Sequence, residues 1–481
     1  MTLTLHLNRY PSTPFPTGTN VVGKAAFEAL TDGQIQILQK WGLNVVRLGL
    51  SWDLYETAPG VFDNDYMEKT KDIVSRLAKV GIYSFIDMHQ DVYSKLYCGG
   101  HGIPEWEFTP ANETEFYKGG KKTFPHPLVK IDDIDYREDD EYSGPFGVAG
   151  PNACAKAQST PLGWAGVYFT NALSSSTQLL YDNYDGRLDR FGEFWKRVAT
   201  EFKDEEFVLG YELINEPWVG DTFNKPSLLV PSRADKINLA PFYDKLNEAI
   251  RSVDDETLVF YEPATGGNIQ DTFAYGGSSG PGGEEYNDRN VLSYHVYCPP
   301  MQTDIGTAKG SDAILKLCEG LNGWQIGVRG KDTVRLKSAG FLSEFGAIDP
   351  TNANALKLMD LTMSKADEFL HSWSYWYVHV AEDGSNPEAK SLARTYARRT
   401  AGQITNMKFD AETAEFELEY VGCRVGGETE IYLSKEFHYP KGITSVCDGG
   451  VECMYDGENT LIVKQSGVVG VKITVKVSAV L

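Results

Sequence analysis

The chain has 481 residues, 42% of them hydrophobic, and its 67 acidic against 45 basic residues give a net charge of −22. That length suits one large α/β unit plus a smaller domain, and the charge argues against nucleic acid or an anionic membrane surface as the main partner, favouring a neutral substrate. No apolar run is long enough to span a bilayer and the first residues lack a basic segment followed by an apolar core, so neither a transmembrane helix nor a signal peptide is expected, and a secreted protein is read here as the mature chain.

In chain order, a short β-rich run repeatedly precedes a polar segment and a helix-like stretch. The first run lies near TGTNVVG (17–23) and the second is NVVRLGLSW (44–52). A helix is expected over 65–81, where Met67, Ile73, Val74, Leu77 and Val80 fall on one face and Gly81 follows as its cap. IYSFIDMHQD (82–91) is the third run, and after it residues 92–190, rich in Gly, Pro, Asp and aromatic side chains, form an excursion too long for an ordinary connection and expected to wall the site. FGEFWKRVATEFKD (191–204) then leads into VLGYELINEPW (208–218), and LNEAIRSVD into TLVFYEPA (257–264). NVLSYHVYCPP (290–300), GFLSEFGA (340–347) and SWSYWYVHV (372–380) complete the series.

Eight β-runs with helical crossovers are the pattern of a (β/α)8 barrel of the α/β class, placed over residues 1–403. A doubly wound open sheet is the rival, but no glycine fingerprint opens a helix after the first run. From about Asn406 the runs become short and alternating, so residues 404–481 read as an all-β sandwich. At about 75 residues it is marginal alone and is expected to pack on the barrel.

The polar residues that end the runs carry the functional signal. They are His89 and Asp91, Asn215 and Glu216, His295 and Tyr297, Glu344, and Trp376, together with Arg47 within the second run. A single Glu after a strand is more often a cap or loop residue than a catalyst. Two Glu, two His, a Tyr and a Trp at the C-terminal ends of one barrel's strands are another matter, because that edge is where barrel chemistry sits. Two facing carboxylates can share glycosidic chemistry: one, kept protonated, hands its proton to the departing oxygen, and the other, ionised, attacks the anomeric carbon. Arg47 and Tyr297 are candidate donors to the ionised partner, Asn215 a candidate for the sugar 2-hydroxyl, and Trp376 a platform for the sugar face. His89 and Asp91 have metal-ligand chemistry but no third partner in the sequence, so hydrogen bonding to a hydroxylated substrate is favoured and neither metal nor other cofactor is expected. Of the seven cysteines, the pairs Cys298/Cys318 and Cys447/Cys453 have spacings that suit disulfides in an oxidising compartment; buried thiols are the alternative, and the odd count leaves at least one free.

The ordered set NVVRLGLSW, DMHQDVYS, YELINEPW, SYHVYCPP, LSEFGA and SYW resembles the retaining family 5 glycoside hydrolases of clan A, and DMHQDVYS resembles the endoglycoceramidases among them. The resemblance covers about residues 17–480. It implies Glu216 as acid/base, Glu344 as nucleophile, Arg47 supporting the nucleophile, and His89, Asp91, Asn215, His295, Tyr297 and Trp376 lining the sugar subsite. The implied reaction cuts the β-linkage between an oligosaccharide and ceramide and releases both intact, in a secreted monomer that touches a membrane or micelle surface only transiently. A related β-glucosidase or glucosylceramidase, a cellulase-like glycosidase, and a non-catalytic glycolipid-binding protein are the alternatives. An apolar path for ceramide is expected beyond the acid, with Trp218, Pro299, Pro300 and Met301 as its candidate walls.

Overall fold

A computed structural model describes residues 13–14, 17–21, 30–95, 97, 100–107, 167–169, 171–265, 277–302, 310–377, 379–467 and 469–480. Most of the excursion expected to wall the site, residues 108–166, therefore lies outside the described residues.

Eight parallel strands close into a barrel in sequence order: β1 (Thr17–Val21), β2 (Val45–Leu50), β3 (Tyr83–Met88), β4 (Val208–Glu212), β5 (Leu258–Tyr261), β6 (Asn290–Val296), β7 (Ala339–Phe345) and β8 (Ser372–Tyr375). Closure is direct, since Trp373, Ser374 and Tyr375 of β8 pair with Thr17, Gly18 and Thr19 of β1. Each of the eight runs read from the sequence holds one of these strands. The crossover helices include α1 (Asp32–Lys40), α2 (Asn64–Ala78), α3 (Asn171–Tyr181), α4 (Arg187–Phe202), α5 (Ala240–Arg251), α6 (Asp312–Leu336) and α7 (Ala353–Glu368). Helix α2 buries Met67, Ile73, Val74 and Leu77, as its spacing requires, and is capped at its start by Asp63, whose side chain accepts from the Tyr66 N–H. Gly81 takes a left-handed φ of 78° just beyond the helix, which only glycine adopts without strain.

Alternation along the strands decides what fills the barrel. At the level where the strands begin, Val45, Phe85, Leu209, Leu258, Phe260, Val291 and Phe341 form their own apolar cluster, with the Phe85 and Phe260 rings stacked at 4.7 Å. Gly210 has to be glycine here, because a Cβ at that position would meet the Phe260 ring at 2.4 Å. One step further along the same strands the side chains become Arg47, Asp87 and Glu212, all fully buried. The barrel thus has an apolar plug below and a charged layer above it.

Past the barrel, antiparallel strands form two sheets. β9 (Tyr396–Thr400), β12 (Glu428–Tyr432), β15 (Thr460–Gln465) and β14 (Val451–Tyr455) lie side by side, with Thr13–Pro14 added at the edge. β10 (Gly402–Asp410), β11 (Glu415–Gly422), β16 (Lys472–Ala479) and β13 (Ile443–Asp448) make the other. Their facing side chains, among them Phe409, Phe416, Leu418, Tyr420, Leu461, Val463 and Val475, build a second core. This unit docks where α1 turns into β2: the Tyr432 hydroxyl donates to the Lys40 carbonyl at 2.7 Å and the Tyr396 hydroxyl to the Gly42 carbonyl at 2.5 Å. That is the end of the barrel opposite the strand C-termini. Disulfides join Cys298 to Cys318 and Cys447 to Cys453, and Cys423 is free. Among the described residues, no helix is long and apolar enough to cross a membrane.

Candidate active site

The charged layer is organised by Arg47. A fully buried guanidinium demands several partners, and strand alternation on β2 aims this one into the barrel. Its Nη1 donates to Glu344 Oε1 at 2.6 Å, its Nη2 donates to Asn215 Oδ1 at 2.8 Å and lies 3.1 Å from Asp87 Oδ2, and its Nε pairs with Glu212. These four partners come from β3, from β4 and the loop after it, and from β7, so one cation positions side chains from across the barrel.

Glu344 reaches the mouth because the β6–β7 ladder shifts register between Leu342 and Glu344, an irregularity that re-aims a side chain. Tyr297 closes its other side, the hydroxyl donating to Glu344 Oε2 at 2.7 Å. Burial raises the Glu344 carboxyl above its ordinary value, and the neighbouring His295 and Arg47 oppose that rise without cancelling it. Glu216 sits on the loop after β4 in a left-handed conformation, φ 41°, unusual for a non-glycine residue and a mark of local strain. Its Oε1 lies 2.8 Å from His295 Nδ1, which is itself 3.4 Å from Glu344 Oε2. One nitrogen of His295 and one oxygen from each carboxylate all lie within 4.8 Å of one another. Burial first, and the charge of Asp91 second, raise the Glu216 carboxyl from 4.5 to about 7. His295 goes the other way: burial lowers its imidazole to about 4, so it is neutral at pH 7.

Beside this pair stands a second chain of polar contacts. Asp87 Oδ2 lies 2.6 Å from His89 Nδ1, His89 Nε2 lies 3.4 Å from Asp91 Oδ2, and His101 Nε2 lies 3.2 Å from the same oxygen. Burial acts to lower the His89 imidazole, but Asp87 and Asp91 outweigh it and hold it at about 10. For Asp91 burial acts upward, and the bonds from His101 and His89 win, keeping the carboxyl well below its usual range. The Trp376 ring stacks on His89 at 5.4 Å, with planes only 8° apart. Asn215 is wedged beneath Glu216, its amide donating to the Gln90 carbonyl at 2.9 Å while Gln90 donates back to the Asn215 carbonyl at 2.7 Å.

Of the ten residues singled out in the sequence, nine thus converge: Arg47, His89, Asp91, Asn215, Glu216, His295, Tyr297, Glu344 and Trp376. The tenth, Trp218, does not face the mouth. It is 4% exposed, packed against a tilted Tyr168 ring and an edge-on Phe169 ring, and its indole donates to Ser174 Oγ at 3.1 Å, so it packs its own loop against α3 instead of lining an open apolar path. Met301 is buried as well. Sequence reading also missed residues. Glu212 and Asp87 lie inside strands that look simply apolar, Glu262 follows β5 in a run to which no polar role was given, and His101 supplies the third partner that His89 and Asp91 lacked. The signal for Glu262 was available, since it is an acidic residue immediately after an apolar strand. The groups His89–Asp91–His101, Glu212–Glu262–His295 and Glu216–His295–Glu344 each have the donor types and spacing of a cation site, although the Nδ1 of His89 is committed to Asp87.

Comparison with known proteins agrees with this geometry. The description Cellulase (glycosyl hydrolase family 5) matches residues 12–125 and 167–381, and the Glycoside hydrolase family 5 C-terminal domain matches residues 394–477. The chain is 36% identical over 449 residues to an endoglycoceramidase of Hydra vulgaris, covering 91% of this chain and 77% of that one. It is 35% identical over 458 residues to an endoglycoceramidase of Cyanea nozakii, covering 88% and 82%. Endo-glycoceramidase II from Rhodococcus sp. shares the fold at a TM-score of 0.71 and 22% identity, with both chains covered completely. A closed barrel whose strand ends carry two carboxylates, together with these matches along most of its length, makes this chain a member of glycoside hydrolase family 5.

Proposed function

We propose that the chain is a retaining endo-β-glycosidase that hydrolyses the bond between oligosaccharide and ceramide in glycosphingolipids. The observation that carries the reaction type is the inequality of two carboxylates joined through His295. Glu216, raised to about 7, keeps a proton to give to the departing oxygen. Glu344, held by Arg47 and Tyr297, is the carboxylate arranged to attack. One oxygen of each lies within 4.8 Å of the other, which fits the closely set carboxyls (~5–5.5 Å) of retaining enzymes better than the wider pair (~6.5–9.5 Å) that admits a water in inverting ones.

In the first half-reaction Glu344 attacks the anomeric carbon from one face while Glu216 protonates the glycosidic oxygen. In the second, Glu216 takes a proton from water as that water releases the glycan from Glu344. Trp376 and His89 offer a flat face for the sugar, and Asp91 and His101 offer hydrogen bonds to its hydroxyls. The ceramide side rests on similarity to proteins named endoglycoceramidase at 35–36% identity over about nine-tenths of the chain. Two disulfides favour work in an oxidising compartment, which fits a secreted monomer that meets its lipid at a membrane or micelle surface.

Mass spectrometry of the products from a ganglioside tests the reading. Intact oligosaccharide plus ceramide is expected. A released monosaccharide would indicate an exo-acting glucosidase, and no product would leave a binding protein.

A further inference from the structure

Glu262 is the first residue past β5 and is 3% exposed. Its Oε1 lies 3.4 Å from His295 Nε2, accepts from the Glu216 backbone N–H at 3.3 Å, and is 3.7 Å from Arg47 Nη2. It therefore touches Glu216 in two ways, directly at the backbone and through the imidazole whose other nitrogen faces Glu216 Oε1 at 2.8 Å. We propose, resting on the assignment of Glu216 as acid/base, that Glu262 is a positioning residue: a neutral carboxylic acid that donates to His295 Nε2 and so fixes the imidazole hydrogen on Nδ1, facing Glu216.

Charge arithmetic points the same way. Four carboxyls, those of Asp87, Glu212, Glu262 and Glu344, lie within 4 Å of the single guanidinium of Arg47, and Glu262 is the most distant of them. Even with the protonated His89 beside Asp87 counted as a second cation, two cations do not compensate four buried anions, and the carboxyl farthest from Arg47 is the one best left neutral. Burial, then the charge of Glu212, push the Glu262 carboxyl well above its ordinary range, with Glu216 and Glu344 adding to the rise and Arg47 opposing it.

A neutral imidazole carries one N–H, and the hydrogen bond at the far nitrogen chooses where it sits. With the hydrogen on Nε2, the Nδ1 lone pair would face the Glu344 carboxylate and draw to itself the Glu216 proton that the leaving oxygen needs. With Glu262 donating to Nε2, the hydrogen sits on Nδ1 and points at Glu216 Oε1. That hydrogen bond is worth most when Glu216 is ionised, after it has given its proton to the leaving oxygen. The Glu262 hydroxyl oxygen can still accept from the Glu216 N–H, which steadies a residue held at positive φ.

Two variants decide it, Glu262→Gln and Glu262→Leu, assayed on a phenyl and a dinitrophenyl β-glycoside across pH, with thermal unfolding as the control for folding. The amide of Glu262→Gln still donates to Nε2 but cannot at the same atom accept from the Glu216 N–H, so its kcat/KM should fall only a few-fold while the basic limb of its pH profile stays near that of the parent. Glu262→Leu should lose about 10- to 100-fold on the phenyl glycoside and much less on the dinitrophenyl one, whose leaving group needs no proton. Its basic limb should move to higher pH, because ionised Glu216 has lost a donor. A basic limb that moves to lower pH in either variant would mean that Glu262 is a charged neighbour of Glu216, and equal losses on both glycosides would mean a purely structural role; either overturns the proposal. Should Glu262→Leu fail to fold, Glu262→Gln decides alone, since removing a negative charge would shift its limb downward. Glu216→Ala on the same glycosides separates the two claims. If it damages both alike, the acid/base assignment falls and this proposal with it; if it spares the dinitrophenyl glycoside while Glu262→Leu does not, only this proposal falls.

Discussion

The lower and upper halves of the barrel are built from the same strands with opposite chemistry. Below, Val45, Phe85, Phe260, Val291 and Phe341 close the interior with apolar rings and branches. A step higher on those strands, Arg47, Asp87 and Glu212 are just as buried, and their burial serves reactivity at some cost to stability. The lower half tolerates a change of shape poorly but has no part in the chemistry. In the upper half burial raises the Glu216 carboxyl and lowers the His295 imidazole, whereas charged partners reverse both directions at Asp91 and His89.

The contrast breaks most visibly at Glu344. Glu344→Ser should lower hydrolysis by roughly 10⁴-fold or more, leave the melting temperature little changed, and still permit glycoside synthesis from a glycosyl fluoride of inverted configuration. Steady-state kinetics and product analysis check both halves of that statement. A smaller loss is expected for Glu216→Ala, on the order of 10²- to 10⁴-fold with a poor leaving group. It should shrink sharply with an activated aryl glycoside and be partly rescued by azide, which needs no general base.

The plug should behave in reverse. Phe85→Ala removes a ring stacked on Phe260 and should cost about 3–5 kcal/mol of stability, read by denaturant unfolding, while kcat in the surviving folded fraction stays within a few-fold of the parent. Trp218→Ala belongs with it, because Trp218 is buried against α3; its loss should lower stability and affect lipid and aryl substrates alike, not single out the lipid.

The smallest effect is a slope. The folded pKa of Glu216 is raised from 4.5 to about 7, so the native state holds a proton that the unfolded chain releases. Stability contributed at this group is present below pH 4.5 and is lost as pH rises through about 7. Glu216→Gln should flatten the fall in stability over that window, and the basic limb of kcat/KM in the parent should lie near pH 7. Thermal unfolding and rate profiles across pH 4–8 measure the two.

Sequence by itself determined the architecture and most of the site. Period-two runs followed by helical spacing specify a βα repeat, and eight of them leave a barrel as the economical closure. Glu216, His295 and Glu344 were legible because they stand at or near the ends of apolar runs, and Arg47 because it interrupts one, where a polar side chain has no reason to stand unless it faces a mouth. The tertiary structure decided which polar residues share a partner. Asp87, Glu212 and Glu262 find Arg47 only once four strands have closed around it, and no spacing along the chain encodes that meeting. His101 joins His89 and Asp91 by a loop that doubles back to pair with Asp91, and Trp218 turns inward because α3, far earlier in the chain than its own strand, lies over it. Local periodicity sets elements, but charge compensation and burial are properties of the closed barrel, and those set which carboxylate keeps its proton.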